Sequence, residues 1–179
     1  MLSYAITDPS TLSFDHLDSY LSHIKGSADM VLFRDKENRD YSDHAKIFIE
    51  AARRYRFDKV LLHNDITLAK ALKADGVHLS SDRREEIPLA KAEGLFVIIS
   101  AHSLNEIESA EALGADMVTF SPIFTTPGKG EPVGLEKLAQ VSSAVNIPVI
   151  ALGGILTQEQ INACREAGAE GFASIRYFK

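Results

Sequence analysis

Val149-Ile150-Ala151-Leu152 runs into Gly153-Gly154, and Thr157-Gln158-Glu159-Gln160 follows after Ile155-Leu156. The first run has the length and the Val/Ile/Leu content of a strand buried on both faces. Thr157 with Gln160 is a capping-box helix start. Strand, glycine turn and capped helix make one βα unit, and the same grammar recurs along the chain. Tyr4-Ala5-Ile6, Met30-Val31-Leu32-Phe33, Val60-Leu61-Leu62, Gly76-Val77-His78-Leu79, Phe96-Val97-Ile98-Ile99, Met117-Val118-Thr119-Phe120 and Gly171-Phe172-Ala173 are the other apolar runs. Each ends in a polar or glycine cluster, such as Thr7-Asp8, Arg34-Asp35-Lys36 or His63-Asn64-Asp65. Charged groups at the same end of every strand have no place in a core and belong at a shared mouth.

Amphipathic stretches lie between the runs. Leu17-x-x-Tyr20-Leu21-x-x-Ile24 and Ala45-x-x-Phe48-Ile49-x-x-Ala52 have helical spacing. Ser103-Leu104-Asn105-Glu106 reads as a second capping box, and Gly114 and Gly168 stand where helices end. Eight βα units predict a compact α/β (β/α)8 TIM barrel with its site at the carboxyl ends of the strands. A doubly wound sheet would more often use five or six strands.

The chain has 179 residues, so a single TIM-barrel domain over 1–179 is expected, below the roughly 200 residues usual for this fold. Hydrophobic residues make up 45%, enough for a packed core. The net charge of −6, with no Lys/Arg run longer than two, argues against nucleic acid or a membrane surface as partner. Met1-Leu2-Ser3 enters the first strand with no signal peptide or membrane-length apolar run, and the lone Cys164 suits a reducing cytoplasm. Only Arg176-Tyr177-Phe178-Lys179 follow the eighth strand, too few for a final helix. An exposed apolar patch beside Tyr177 and Phe178, covered by a twofold homodimer, is therefore expected. The competing expectation is that the helix near Phe14 swings across the gap.

The mouth carries the chemistry. Arg34 and Lys36 alternate past the second strand and can aim at one anion, or form an ordinary surface pair. Asn64-Asp65 offers a hard oxygen ligand suited to Mg²⁺, or an Asx cap on a helix beginning at Ile66. His78 faces the barrel interior, more as a satisfied core histidine than as a base. Ser121-Pro122-Ile123-Phe124-Thr125-Thr126-Pro127-Gly128-Lys129-Gly130 mixes hydroxyls, glycine and lysine in a loop able to wrap phosphate oxygens. Gly153-Gly154 ahead of a capped helix is a further anion cradle, where barrels commonly bind phosphate.

At Arg34-Asp35-Lys36, Asn64-Asp65, Ala74-Asp75-Gly76-Val77-His78-Leu79, Ser100-Ala101-His102, Pro122-Ile123-Phe124-x-Thr126-x-x-Lys129 and Ala151-Leu152-Gly153-Gly154-Ile155 the chain resembles thiamine-phosphate synthases, whose superfamily includes the thiazole tautomerases. The resemblance covers almost the whole chain. It implies a transferase of thiamine biosynthesis that joins a hydroxymethylpyrimidine diphosphate to a thiazole phosphate and releases pyrophosphate. Phosphorylated small molecules would be its ligands and Mg²⁺ its substrate-dependent cofactor. By position, Arg34, Lys36, Asn64 and Lys129 would hold pyrophosphate, Asp65 would ligate Mg²⁺ and Ser100 would lie near the pyrimidine. Thr126 and the amides of Gly153 and Gly154 would hold the thiazole phosphate.

The pattern also departs from the family. Leu32 stands where a Gln is usual, and Gly128 where a Thr is usual. Ser80-Ser81-Asp82-Arg83 replaces Gly-Gln and two acids, so a Mg²⁺ ligand position falls on Arg83 unless Asp82 substitutes through a shifted loop. Arg176 replaces a small Ser and is expected to point toward Gly153-Gly154, gripping the phosphate or filling its place. Pro122 stands where tautomerases carry a catalytic His. A tautomerase using His63, His78 or His102, or a non-catalytic barrel binding a phosphorylated metabolite, are the alternatives.

Overall fold

In the computed structural model, which describes residues 1–179, eight strands form a closed parallel barrel in sequential order. They are β1 (Leu2–Ile6), β2 (Met30–Phe33), β3 (Lys59–His63), β4 (Gly76–Leu79), β5 (Phe96–Ala101), β6 (Met117–Phe120), β7 (Val149–Leu152) and β8 (Gly171–Ser174). The ring closes through β1 and β8, with Leu2 opposite Gly171 and Ala5 opposite Ser174. Seven helices surround it: α1 (Leu17–Ile24), α2 (Tyr41–Ala52), α3 (Ile66–Ala71), α4 (Ile87–Ala92), α5 (Leu104–Ala112), α6 (Gly134–Ala144) and α7 (Gln158–Glu166). No helix is long and apolar enough to cross a membrane.

Side chains alternate across each strand, so every strand feeds two cores. Outward residues such as Val31, Phe33, Val97, Ile99, Val118 and Phe120 meet the helices in the larger core. Inward residues Tyr4, Ile6, Met30, Leu32, Leu61, Ile98, Ile150 and Ala173 fill the barrel. Continuing the inward set toward the carboxyl ends reaches Arg34, His63, Ser80, Ser100, His102 and Ser121. The strand periodicity itself carries the interior from apolar to polar at the mouth.

The opposite end is stapled. Asp29, Asp75 and Asp116 each stand immediately before a strand and accept a backbone N–H from the strand before it: Ser3, Val60 and Val97, each at 2.7 Å. These charge-assisted bonds tie β1 to β2, β3 to β4 and β5 to β6.

Two local expectations are corrected. Thr157 forms the full reciprocal capping box at α7. At α5, Ser103 accepts the Glu106 N–H, but the Glu106 carboxylate accepts from His102 N at 2.6 Å and leaves the Ser103 N–H. That box is half made, because the chain enters α5 with His102 turned toward the carboxylate.

The expected apolar patch at the chain's end is absent. Phe178 is 2% exposed. It stacks on Phe172 with centroids 5.7 Å apart, while Tyr177 packs edge-on to both rings. Ser174 Oγ accepts the Tyr177 N–H and donates to the Ile155 carbonyl, which turns the tail back onto the barrel. Phe14 packs against Phe33 and His44 on the β2 side, so it does not cover the gap either. The argument for a covering subunit thereby loses its premise. Phe178→Ala should cost about 3–5 kcal/mol of unfolding free energy in urea denaturation. Ile47→Ala, at a position 49% exposed, should cost less than about 0.5 kcal/mol. Equal effects would mean that Phe178 does not seal the barrel.

Candidate functional site

A cavity of about 360 Å³ opens at the carboxyl ends of the strands. Ile6, Leu32, Leu152 and Ile175 give it an apolar floor and wall. Arg34, Lys36, Lys129, Ser100, Thr126, Gly153 and Asp82 line it, so seven sequence candidates converge. Asn64 and Asp65 line an adjoining cavity of about 510 Å³ that shares Lys36, His63, Ser80 and Asp82 with the first. Gly154 and the exposed Arg176 line neither cavity.

Arg34, Lys36 and Lys129 have no salt-bridge partner. Lys36 is held below the usual lysine range by partial burial and by the charges of Arg34 and Lys129. Asp82 is the one acid of the main cavity. Ser80 and its own backbone N–H, with Arg83 and Lys36 beside it, keep its carboxyl below the usual range.

The loop after β6 is annealed to the end of β7. Ile123 N donates to the Leu152 carbonyl at 2.9 Å and Phe124 N to the Gly153 carbonyl at 3.0 Å. A Cβ at Gly153 would stand 2.8 Å from Pro122 Cα, and one at Gly154 would stand 2.6 Å from the Thr125 carbonyl oxygen. Both glycines also have φ in the left-handed region, 104° and 68°. Gly-Gly therefore does two jobs. It lets the loop approach, and it leaves both glycine N–H groups without a protein acceptor, open to an anion. The backbone N–H of Arg176 also has no protein acceptor.

Asn64 and Asp65 are largely occupied by structure. Asn64 has φ of 58°. Its Oδ1 accepts from Ser80 N at 2.8 Å and its Nδ2 donates to Ser80 Oγ at 3.0 Å. Arg83 Nη1 donates to the Asn64 carbonyl, while Arg83 Nε donates to Glu86 Oε1 at 2.6 Å. Asp65 Oδ1 accepts from Leu68 N at 2.8 Å, the Asx cap on α3.

This donor set does not fit Mg²⁺ as a resident ion. Asp65 Oδ1 caps its helix, and although Asp35, Asp65 and Asp82 line the same adjoining cavity, no three His, Cys, Asp or Glu side chains are grouped to hold an ion; a fixed guanidinium also holds the peptide next to Asp65. Nearby positive charge repels a dication and attracts the same phosphate oxygens. Arg83→Asp exchanges that cation for a second carboxylate. Calorimetry of inorganic pyrophosphate should then become Mg²⁺-dependent in the variant, while EDTA should leave the unsubstituted protein's binding within about threefold. A chelator-sensitive parent protein would contradict this.

Ser80, Ser121, His63 and His102 also line the cavity. For Ser80 and Ser121 the sequence signal is register alone, each continuing an inward-facing series, whereas His63 and His102 already stand among the alternative bases. His102 Nδ1 donates to the Ser121 carbonyl at 2.9 Å. His63 is pulled from 6.5 to about 4 by burial, then by Arg34, Lys36 and Arg83. His78, buried at the cavity's edge, is pulled to about 3, chiefly by burial. Both folded values lie below the unfolded value of 6.5. Their contribution to stability is complete above 6.5 and is lost as pH falls toward about 4 and about 3, because the unfolded chain takes up protons that the fold refuses. His63→Gln should therefore flatten the fall in urea midpoint between about pH 7 and about pH 4.5. An unaltered fall would remove His63 as its cause.

Comparison with known proteins agrees with the geometry. The family described as thiamine monophosphate synthase matches residues 3–178. A putative thiamine-phosphate synthase 2 of Aquifex aeolicus is 37% identical, over 98% of this chain and 96% of its own length. A thiamine-phosphate synthase of Syntrophomonas wolfei is 32% identical, over 96% of this chain and 85% of its own. The solved structure of thiamine phosphate pyrophosphorylase from Pyrococcus furiosus superposes with a TM-score of 0.81 at 29% identity, covering 97% of this chain and 85% of that one. The chain belongs to the thiamine monophosphate synthase family.

Proposed function

We propose that the protein is a thiamine-phosphate synthase, which alkylates the nitrogen of a thiazole phosphate with a hydroxymethylpyrimidine diphosphate. One observation carries the reading: three unpaired cations, Arg34, Lys36 and Lys129, converge over an apolar-floored cavity whose far wall offers free backbone N–H groups. A diphosphate and a monophosphate each find a matching anchor. The heteroaromatic rings fall between them on Leu32, Ile6 and Leu152.

The chemistry needs little else. The bond between the pyrimidine methylene carbon and the diphosphate oxygen breaks, and pyrophosphate leaves with the electron pair. The thiazole nitrogen supplies its own lone pair to the methylene carbon, forming the C–N bond of a thiazolium. No proton has to move. Arg34, Lys36 and Lys129 stabilise the charge that develops on the leaving group, a preorganised electrostatic role. The apolar floor excludes water that would otherwise capture the carbon cation. The N–H groups of Gly153 and Gly154 hold the thiazole phosphate at the distance that aims its nitrogen, and Thr126 Oγ1, which donates to the Phe124 carbonyl at 2.9 Å, joins them by turning its hydroxyl.

A proton-shuttling tautomerase is supported less well. Both ring nitrogens of His78 are engaged, and Pro122 carries no transferable proton.

The test is incubation with both phosphorylated precursors and chromatographic detection of thiamine phosphate and pyrophosphate. Stoichiometric formation of both is expected. Lys129→Ala should lower kcat/KM about a hundredfold, as loss of one preorganised donor to a developing charge does. Binding of either precursor without turnover would instead make this a phosphometabolite-binding barrel.

A further inference from the structure

Beneath the mouth runs a hydrogen-bonded line that the bond-breaking step does not use. Tyr4 on β1, His78 on β4 and Ser100 on β5 all point inward. Tyr4 Oη lies 3.0 Å from His78 Nδ1, and His78 Nε2 lies 3.0 Å from Ser100 Oγ. The tyrosine and imidazole rings lie nearly parallel, with centroids 5.8 Å apart. Tyr4 is fully buried, while His78, 3% exposed, and Ser100 both border the cavity. None of the three has another side-chain partner.

Protons on this line can be assigned by counting donors and acceptors. Burial keeps the Tyr4 hydroxyl protonated and His78 neutral. A neutral imidazole has one N–H and one lone pair. If Nδ1 carried the proton, it would donate to Tyr4 Oη. The Tyr4 hydroxyl proton would then have no acceptor in a dry interior, an arrangement that buried polar groups avoid. If Nε2 carries the proton, Tyr4 donates to Nδ1 and Nε2–H donates to Ser100 Oγ. Every polar atom of Tyr4 and His78 on this line is then satisfied, and the Ser100 hydroxyl proton is left over, facing the cavity.

We infer that Tyr4 is a positioning residue: its hydroxyl sets His78 as the Nε2–H tautomer, and His78 in turn presents Ser100 to the substrate as a hydrogen-bond donor. The acceptor is a lone pair on the heteroaromatic diphosphate, a substrate identity that rests on the synthase reading above. The tautomer does not rest on that reading. In this arrangement Ser100 is no nucleophile, because the imidazole beside it has no lone pair on the nitrogen facing it.

Long-range ¹H–¹⁵N correlation on ¹⁵N-histidine protein reads the tautomer directly, with His78 identified by its contacts to Tyr4. Nδ1 is expected as an unprotonated, hydrogen-bond-accepting nitrogen and Nε2 as the protonated one. The Nδ1–H form would overturn the inference. Tyr4→Phe should yield a mixture of tautomers and lower kcat about tenfold, with KM for the thiazole phosphate within about twofold. Ser100→Ala should leave the tautomer as it is, because the order runs from Tyr4 outward. A tautomer disturbed by Ser100→Ala but not by Tyr4→Phe would reverse that order and sink the proposal. If the parent protein forms no thiamine phosphate, the synthase reading fails while the nitrogen spectrum still decides this one.

Discussion

Closing a parallel sheet on itself gives every strand an inside and an outside, and most of this molecule follows from that division. The outside must be apolar for its whole length, because helices pack there. The inside is apolar only as far as neighbouring side chains exclude water. Above Leu32, Leu61 and Ile98 the same period of two delivers Arg34, His63 and Ser100 into a widening mouth. Catalytic groups are thus not all added to the barrel. Arg34, His63 and Ser100 continue inward series whose earlier positions build the core, while Lys36, Thr126 and Lys129 come from the loops above them.

The mouth is electrostatically lopsided. Three cations face one cavity with Asp82 as the single acid among them, in a chain whose net charge is −6. Holding like charges together costs folding energy, a cost that anion binding returns. His63 and His78 resist protonation chiefly through burial, with Arg34 opposing it at both and Lys36 at His63. Neutral histidines and fixed cations suit a reaction in which a diphosphate departs and no proton is relayed.

Much of this was legible in residues alone. Eight apolar runs with polar ends imply the barrel, and the spacing of Arg34, Lys36, Thr126 and Lys129 implies an anion site. Hidden from the sequence was how side chains are spent. Asn64 and Asp65 look like ligands, yet their polar atoms are mostly committed to Ser80 and Leu68. Arg83 looks like a lost ligand, yet it clamps the Asn64 peptide. Arg176 was expected to point toward Gly153, yet the turn fixed by Ser174 leaves its side chain exposed. Phe178 looked like an exposed end, but stacking on Phe172 buries it. Each of these depends on which of several nearby acceptors or surfaces wins, a contest among three-dimensional neighbours that linear spacing does not encode.

The aspartates at the amino ends of the strands carry a different consequence. Asp29, Asp75 and Asp116 fasten strand pairs at the face remote from the cavity, and none of them lines it. Strand pairing is therefore anchored where chemistry is absent, and the loops at the other rim are released from that duty. Such a barrel leaves its rim, where Arg83 and Gly128 lie, free to vary while its frame persists. A protein engineer could exploit the same separation, rewriting the rim for a different phosphorylated ring and leaving the pinned base untouched.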